Sequence, residues 1–435
     1  MIFELDKYIK KYYKKRFVFK KNISKQISVP VSGKVFDERE LKKMIEAVLE
    51  GWWTEGRFSS EFEKRLSQKI GVKFCIPVNS GSSANLLAIS ALTSYKLGEK
   101  RLKAGDEIIT LAAGFPTTIS PIIINNLTPV FVDLDLQTYN INVEKLEQAI
   151  GKKTKAIFIA HTLGNPFNVK KVLEICRKYN LWLIEDNCDA LGSKYKDKYT
   201  GSFGHIATQS FYPAHHITSG EGGALLTNDF LLAKIIRSLR DWGRDCWCPT
   251  GNDNTCTKRF SQKHGDLPIG YDHKYVYSEI GYNLKWTDIQ AALALAQLEK
   301  LDNFILKRRE NFDYLFKNLK KFDKYFSFFH PEKDSRPSWF GFLITLKENC
   351  PFSREKITNY LNDNKIGTRL LFAGNIVKQP VFTNQKINYR IFGNLDNSDY
   401  VMKNTFWVGC YHGLDKEQLD YMIGKFEKFI EIYGK

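Results

Sequence analysis

Acidic residues are under-represented in this chain: 48 Asp and Glu stand against 65 Lys and Arg in 435 residues, a formal net charge of +17. There is no uninterrupted apolar run of the roughly 20 residues needed to span a bilayer. The sequence starts M-I-F-E-L-D, without a basic-then-apolar leader pattern, so a cytoplasmic address is the simplest expectation. Internal repeats and low-complexity linkers are absent. No DNA- or RNA-binding signature accompanies the charge, which argues against a nucleic-acid partner. A G-x-G-x-x-G fingerprint in a strand–turn–helix context is also missing, so the chain carries no dinucleotide-binding module of its own. The positive balance then fits either an acidic partner, such as a nucleotide-linked substrate, or a lysine-rich solvated surface.

What is present is globular in composition, with 43% hydrophobic and 26% charged residues. The length exceeds one ordinary core, so two domains sharing an interface are expected. Residues 1–36 form a basic N-terminal segment that includes Lys7, Lys10, Lys11, Lys14, Lys15, Arg16, Lys20 and Lys21. Leu5, Ile9, Tyr12 and Tyr13 fall at helical spacing within it. Such a stripe either lies on a membrane surface or packs on its own protein. Asp37-x-x-Glu40 predicts a capping box, and Ser60-x-x-Glu63 predicts the start of a second helix that ends at Gly71. From Lys73 to Glu185 strands and helices alternate, the pattern of a largely parallel sheet between helices. A large domain is expected over 37–300. Residues 241–285 interrupt it as an insertion rich in Gly, Asp, Asn and Cys, and loops of that length are usually functional. One long helix from Thr287 toward Lys320 should carry the chain into a small α+β domain over 301–435.

Several short runs carry chemistry. Asn79-Ser80-Gly81-Ser82-Ser83 joins a strand to a helix start, where free backbone N–H groups form a phosphate cradle. Ile184-Glu185-Asp186-Asn187 ends an apolar strand with a carboxylate. Phe115 lies in A-A-G-F-P-T-T. Ser210 opens S-F-Y-P-A-H-H-I-T-S-G-E-G-G, and G-Y-N at 281–283 and F-A-G-N at 372–375 follow. Each alone is ordinary: turns favour Gly and Ser, acids cap strand ends, and one phenylalanine is core material. In this order they resemble the sugar aminotransferase-like family of pyridoxal phosphate (PLP) enzymes, DegT/DnrJ/EryC1/StrS.

The resemblance implies a fold type I, aspartate aminotransferase-like α/β architecture: a large domain with a mostly parallel seven-stranded sheet and a small α+β C-terminal domain. It implies that Asp186 meets the cofactor ring nitrogen and that Phe115 stacks on the ring. Gly81, Ser82 and Ser210 would hold the phosphate, and Asn283 would reach it from the other subunit of a homodimer.

One position departs from the family pattern. The lysine expected after S-F-Y-P-A is His215. That lysine holds the cofactor aldehyde as a Schiff base and also moves protons at the reacting carbon. An imidazole, with an ordinary pKa of about 6.5, does only the second. The resemblance therefore implies an untethered cofactor carried as pyridoxamine 5'-phosphate (PMP), with His215 as the base. The chemistry becomes loss of the C3 hydroxyl from a 4-keto-sugar instead of amine transfer. His216 is read as a neighbour.

Of eight cysteines, Cys75, Cys176, Cys350 and Cys410 sit in apolar surroundings and read as core residues. The other four, Cys188, Cys246, Cys248 and Cys256, are spaced C-x57-C-x1-C-x7-C. Four thiolates suit either zinc or an iron–sulfur cluster. The spacing resembles the branch of CDP-4-keto-6-deoxy-D-glucose 3-dehydrases, which implies a [2Fe-2S] cluster on these cysteines and reduction by single electrons. It further implies a CDP-4-keto-6-deoxyhexose substrate, a separate flavin or iron–sulfur NAD(P)H reductase, and a product bound for 3,6-dideoxyhexoses of surface lipopolysaccharide. Two alternatives stand beside this: a cluster-free GDP-4-keto-6-deoxyhexose 3-dehydratase, or an inactive homologue with structural zinc.

Overall fold

The computed structural model describes residues 2–18 and 27–435; Lys20 and Lys21 of the basic segment lie outside the described residues. The first helix, α1 (Ile2–Tyr13), docks on α2 (Glu38–Leu49). Ile9 is buried, Tyr13 donates to the carbonyl of Phe36 at 2.7 Å, and Lys42 pairs with Asp6 at 2.6 Å. Of the two readings of this stripe, the chain shows packing on its own protein.

The capping box forms as predicted: the Asp37 side chain accepts from Arg39 N, and Glu40 accepts from Asp37 N at 2.8 Å. Helix α3 (Arg57–Ile70) starts three residues before Ser60. Its cap comes from far away in sequence, because the Asp288 carboxylate accepts the N–H groups of Gly56, Phe58 and Ser59 at 3.0, 3.1 and 2.8 Å. It ends, as expected, at Gly71, whose φ of 84° is left-handed.

Alternation then builds the large layer: β1 (Phe74–Val78), α4 (Gly81–Leu92), β2 (Glu107–Leu111), α5 (Pro116–Ile124), β3 (Thr128–Val132), α6 (Val143–Gln148), β4 (Thr154–Ala160), α7 (Val169–Tyr179) and β5 (Trp182–Asp186). A hairpin of β6 (Lys194–Tyr195) and β7 (Lys198–Tyr199) precedes β8 (Ile206–Ser210), β9 (Gly223–Thr227) and α8 (Phe230–Arg240). After the insertion come α9 (Asp288–Leu298), α10 (Leu301–Leu319), β10 (Phe326–Phe328), β11 (Ser335–Arg336), β12 (Gly341–Leu346) and α11 (Arg354–Asp363). The chain closes through β13 (Thr368–Arg369), α12 (Pro380–Thr383), β14 (Arg390–Ile391), α13 (Asp396–Asn404), β15 (Thr405–Gly409) and α14 (Lys416–Tyr433).

The large sheet has the order β1-β9-β8-β5-β4-β2-β3-β14. From β8 to β14 neighbours are parallel, while β9 runs antiparallel to both β1 and β8. Strands such as T-P-V-F-V of β3 are buried at every residue, as a sheet covered on both faces requires. Seven strands match the expectation; the sheet gains an eighth because β14 returns from the C-terminal part and pairs with β3. Arg390 clamps it there by a 2.7 Å ion pair with Glu107.

The expected single helix from Thr287 toward Lys320 is two helices. Lys300 breaks it: its ammonium lies 2.5 and 2.7 Å from the buried Glu40 carboxylate oxygens, tying the joint to α2. The small sheet, β10-β12-β15-β13, is antiparallel and packs with α10, α11 and α14. The apolar core is continuous with the large sheet, for Val132 and Leu183 share one buried cluster with Phe312, Phe342 and Phe426. Among the described residues no helix is long and apolar enough to cross a membrane.

Candidate active site

The site gathers where β1, β5 and β8 end, the usual ligand edge of an open parallel sheet. Asp186 is the last residue of β5 and is buried. Its Oδ2 accepts from Thr118 Oγ1 at 2.6 Å and Asn85 Nδ2 at 2.9 Å, and its Oδ1 accepts from Cys188 N at 3.2 Å. Two neutral donors orient the carboxylate and leave one oxygen with acceptor capacity for a ring N–H.

Ser80 caps α4, its Oγ accepting from Ser83 N at 3.0 Å. Behind it, the N–H groups of Gly81 and Ser82 are the free ends of the helix. Ser82 is exposed. Gly81 lies so close to β8 that a Cβ there would stand 2.5 Å from Ser210 Cβ. That contact strips the turn to backbone beside the Ser210 hydroxyl, the shape a phosphate cradle needs.

Phe115, half exposed, precedes α5 and meets Phe372 of F-A-G-N edge-on at 5.8 Å. The same run is fastened by Ile376 N donating to Ala112 O at 3.1 Å. Gly81, Ser82, Phe115, Asp186 and Ser210 thus belong to one edge of the sheet, and their donors and acceptors fit a phosphorylated pyridine cofactor. Asn283 is exposed, and its side chain makes no hydrogen bond among the described residues.

His215 follows β8 and stacks obliquely on Phe340 at 5.1 Å. Its Nδ1 is buried without a hydrogen-bond partner; Asp189 Oδ1 is 3.5 Å away. Burial and then the Arg308 guanidinium push the imidazole down to about 3. Burial and then the Asp186 carboxylate push Asp189 up to about 8. Both shifts favour the uncharged forms of the pair. His216 is spent structurally, on the carbonyl of Ser338 at 2.8 Å.

Sequence reasoning missed Asp189, Asn85, Thr118 and Arg308. Asn85 left a trace, as a polar residue in the apolar run A-N-L-L-A-I. Arg308 left none: it is a buried cation bonded to the carbonyls of Trp339, Phe340 and His215.

The cysteines divide into two groups. Cys188 stands at the cofactor edge, 4.0 Å from Thr208 Oγ1. Cys246, Cys248 and Cys256 sit together in the insertion and interact with one another. Burial would raise the Cys248 thiol, but hydrogen bonds from Thr255, Cys256 and Cys246 bring it down to about 7, toward the thiolate a metal prefers. Cys75, Cys176 and Cys410 are buried free thiols and Cys350 is partly buried, as expected of packing residues.

Among the described residues, Asp245, His264 and His273 have ligand atoms within 4.8 Å of one another. His273 Nε2 contacts Asp245 Oδ1 at 2.9 Å, while Lys96 occupies the other oxygen at 3.1 Å. That lysine supplies the counter-charge, and the group braces the root of the insertion.

The DegT/DnrJ/EryC1/StrS aminotransferase family model matches residues 35–427. The chain is 57% identical to the lipopolysaccharide biosynthesis protein RfbH of Salmonella typhimurium, over 92% of this chain and 91% of that protein. It is 50% identical to the dTDP-4-dehydro-2,6-dideoxy-D-glucose 3-dehydratase of Saccharopolyspora spinosa, over 93% and 87%. Among solved structures it resembles the E. coli GDP-4-keto-6-deoxy-D-mannose-3-dehydratase with bound hydrated PLP, at 31% identity and a TM-score of 0.83, over 92% and 99%. The chain belongs to the DegT/DnrJ/EryC1/StrS aminotransferase family.

Proposed function

We propose that the chain is a nucleotide-sugar 3-dehydrase that uses PMP to remove the C3 hydroxyl of a CDP-4-keto-6-deoxyhexose, with reduction by single electrons through a [2Fe-2S] cluster. The observation that carries this reading is His215: an uncharged imidazole stands where the family places its lysine, and the rest of the cofactor edge is intact. The names of the relatives support it, for two of them are sugar 3-dehydratases and one of these holds hydrated PLP.

Bound PMP supplies an amine that condenses with a 4-keto group and a ring that accepts electrons. Asp186, oriented by Asn85 and Thr118, keeps the ring nitrogen protonated. The α4 N-terminus at Gly81 and Ser82, with Ser210, takes the phosphate, and Asn283 reaches it from a second subunit. Phe115 covers one ring face. His215 takes a proton at the cofactor's methylene carbon as the C3 hydroxyl leaves. Without a lysine the cofactor is not tethered, which favours elimination over amine transfer.

The cluster, on Cys188, Cys246, Cys248 and Cys256, supplies electrons one at a time. A separate flavin or iron–sulfur NAD(P)H reductase delivers them. The work is cytoplasmic, and the product feeds 3,6-dideoxyhexose synthesis for lipopolysaccharide, consistent with the name of the Salmonella relative.

A second reading, the cluster-free GDP-4-keto-6-deoxyhexose 3-dehydratase, is favoured by the TM-score of 0.83 to the E. coli enzyme. The spacing of Cys188, Cys246, Cys248 and Cys256 speaks against it.

His215→Asn tests the leading reading. PMP affinity should stay within a few-fold, while C3 dehydration of CDP-4-keto-6-deoxyglucose falls by about 10²–10⁴-fold, the usual contribution of a positioned base. Wild-type turnover in the variant removes His215 from the mechanism.

A further inference from the structure

One cation in the core pairs with no carboxylate. Arg308, on α10, has no exposed surface. Among the described residues no acid forms an ion pair with it, and Asp189 acts on it only from longer range. A buried charge is destabilising unless it is well held, and an apolar side chain of that size would pack the same space without it. What the guanidinium does is gather carbonyls. Its Nη1 donates to Trp339 O at 3.0 Å and Phe340 O at 3.3 Å, and its Nη2 donates to His215 O at 3.2 Å. A rigid planar fork of donors is shaped to join two chain segments in this way; a compact ammonium on a flexible stem is not.

One of the two segments is a platform. Ser338 N donates to Ser193 Oγ at 2.8 Å, Phe340 N donates to Leu163 O at 2.9 Å, and Trp339 stacks on Phe312 at 3.9 Å. Phe312 lies one turn beyond Arg308 on the same face of α10, so the helix grips residues 338–340 with a ring and a cation together. The other segment is the turn that carries His215. Its own N–H donates to Tyr212 O at 2.9 Å, and the next residue, His216, meets Ser338 O through Nε2 at 2.8 Å. The His215 imidazole lies 5.1 Å from the Phe340 ring, with Asp189 3.5 Å from a Nδ1 that has no hydrogen-bond partner. The ring takes its direction from its backbone and from the Phe340 ring beside it. Arg308 holds the main chain of both.

We propose that Arg308 is a positioning residue for the reaction: by tying His215 O to the Trp339 and Phe340 carbonyls, it sets where residue 215 presents its side chain to the cofactor edge. It acts through His215 and Phe340. The proposal rests on the reading of 215 as the position that faces the cofactor, and it is independent of the sugar and of the cysteines.

Covalent trapping at residue 215 reads that position directly. His215→Lys protein is loaded with PLP and treated with borohydride, with Arg308 kept, changed to Lys or changed to Met. The phosphopyridoxyl mass on residue 215 is followed in time, and thermal melts report the fold. Arg308→Lys keeps the charge and loses the fork, so trapping should slow by about 10–10²-fold, the effect of a misplacement of about 1 Å. Arg308→Met should slow it as much without the charge; where that chain does not fold, Arg308→Lys decides. Leu315→Ala, which opens a cavity at a fully buried position further along α10, should lower the melting temperature and leave trapping unchanged. Trapping at the parent rate in the Arg308 variants overturns the proposal. An equal loss in Leu315→Ala at matched stability overturns it too, for Arg308 would then serve packing alone. A His215→Lys parent that traps no PLP instead defeats the reading of position 215, and the positioning with it.

Discussion

Asp189 Oδ1 lies 3.5 Å from His215 Nδ1, and burial disfavours the charged form of both groups. Burial, with Asp186 nearby, lifts the acid to about 8; burial, with Arg308 nearby, drops the base to about 3. Both shifts favour the uncharged form. Asp189 is a positioning residue in this arrangement, since it acts on the ring of His215 and not on a substrate.

Asp189→Asn keeps an uncharged polar group of the same size, so dehydration should stay within about tenfold of wild type. Asp189→Ala empties the space beside Nδ1, and kcat should fall by about 10²-fold with KM nearly unchanged. Steady-state kinetics on the two variants measure the difference. Equal losses in both would mean that the acidic proton itself takes part.

His215→Lys should restore the missing tether. Borohydride treatment of the PLP-loaded variant should add one phosphopyridoxyl group to the chain mass, while wild-type protein gains none. If the variant folds and traps no cofactor, the pocket does not present residue 215 to the aldehyde.

Glu185 sits one residue before Asp186, on the opposite face of β5. It accepts from Gly201, Phe203 and Gly204 N–H at 2.9, 2.8 and 2.6 Å and from His161 Nε2 at 2.9 Å. Burial alone would raise its pKa; the His161 and backbone bonds outweigh burial and hold it below the usual range. A depressed folded pKa contributes stability that is present above the ordinary carboxyl pKa and is lost as pH falls through the folded value. Thermal melts should therefore drop as pH falls below about 4.5. Glu185→Gln should flatten that dependence and cost roughly 1–3 kcal/mol at pH 7, as when buried donors lose an acceptor. A wild-type acid dependence retained in the variant would place the titration elsewhere.

The sequence revealed what local runs encode. The capping box at Asp37, the Gly71 stop, the strand ending at Asp186 and the histidine at 215 each announce themselves within a few residues. Distant partners were silent. Asp288 caps α3 from 230 residues away, which moved that helix start from Ser60 to Arg57. Lys300 splits the expected long helix because it answers Glu40, and β14 joins the sheet because Arg390 answers Glu107. In the site, Asp186 was legible but its orienting partners Asn85 and Thr118 were not, since they meet only when α4 and α5 pack on β5. The spacing singled out four cysteines, of which Cys188 stands at the cofactor edge and the other three in the insertion.

Iron and sulfide analysis of the anaerobically purified wild-type protein, with EPR after reduction, tests the central claim most directly. The account predicts about two irons and two sulfides per chain and a reduced-cluster signal. Zinc in their place, or no metal at all, would contradict it and leave His215 to serve a cluster-free dehydratase or an inactive relative.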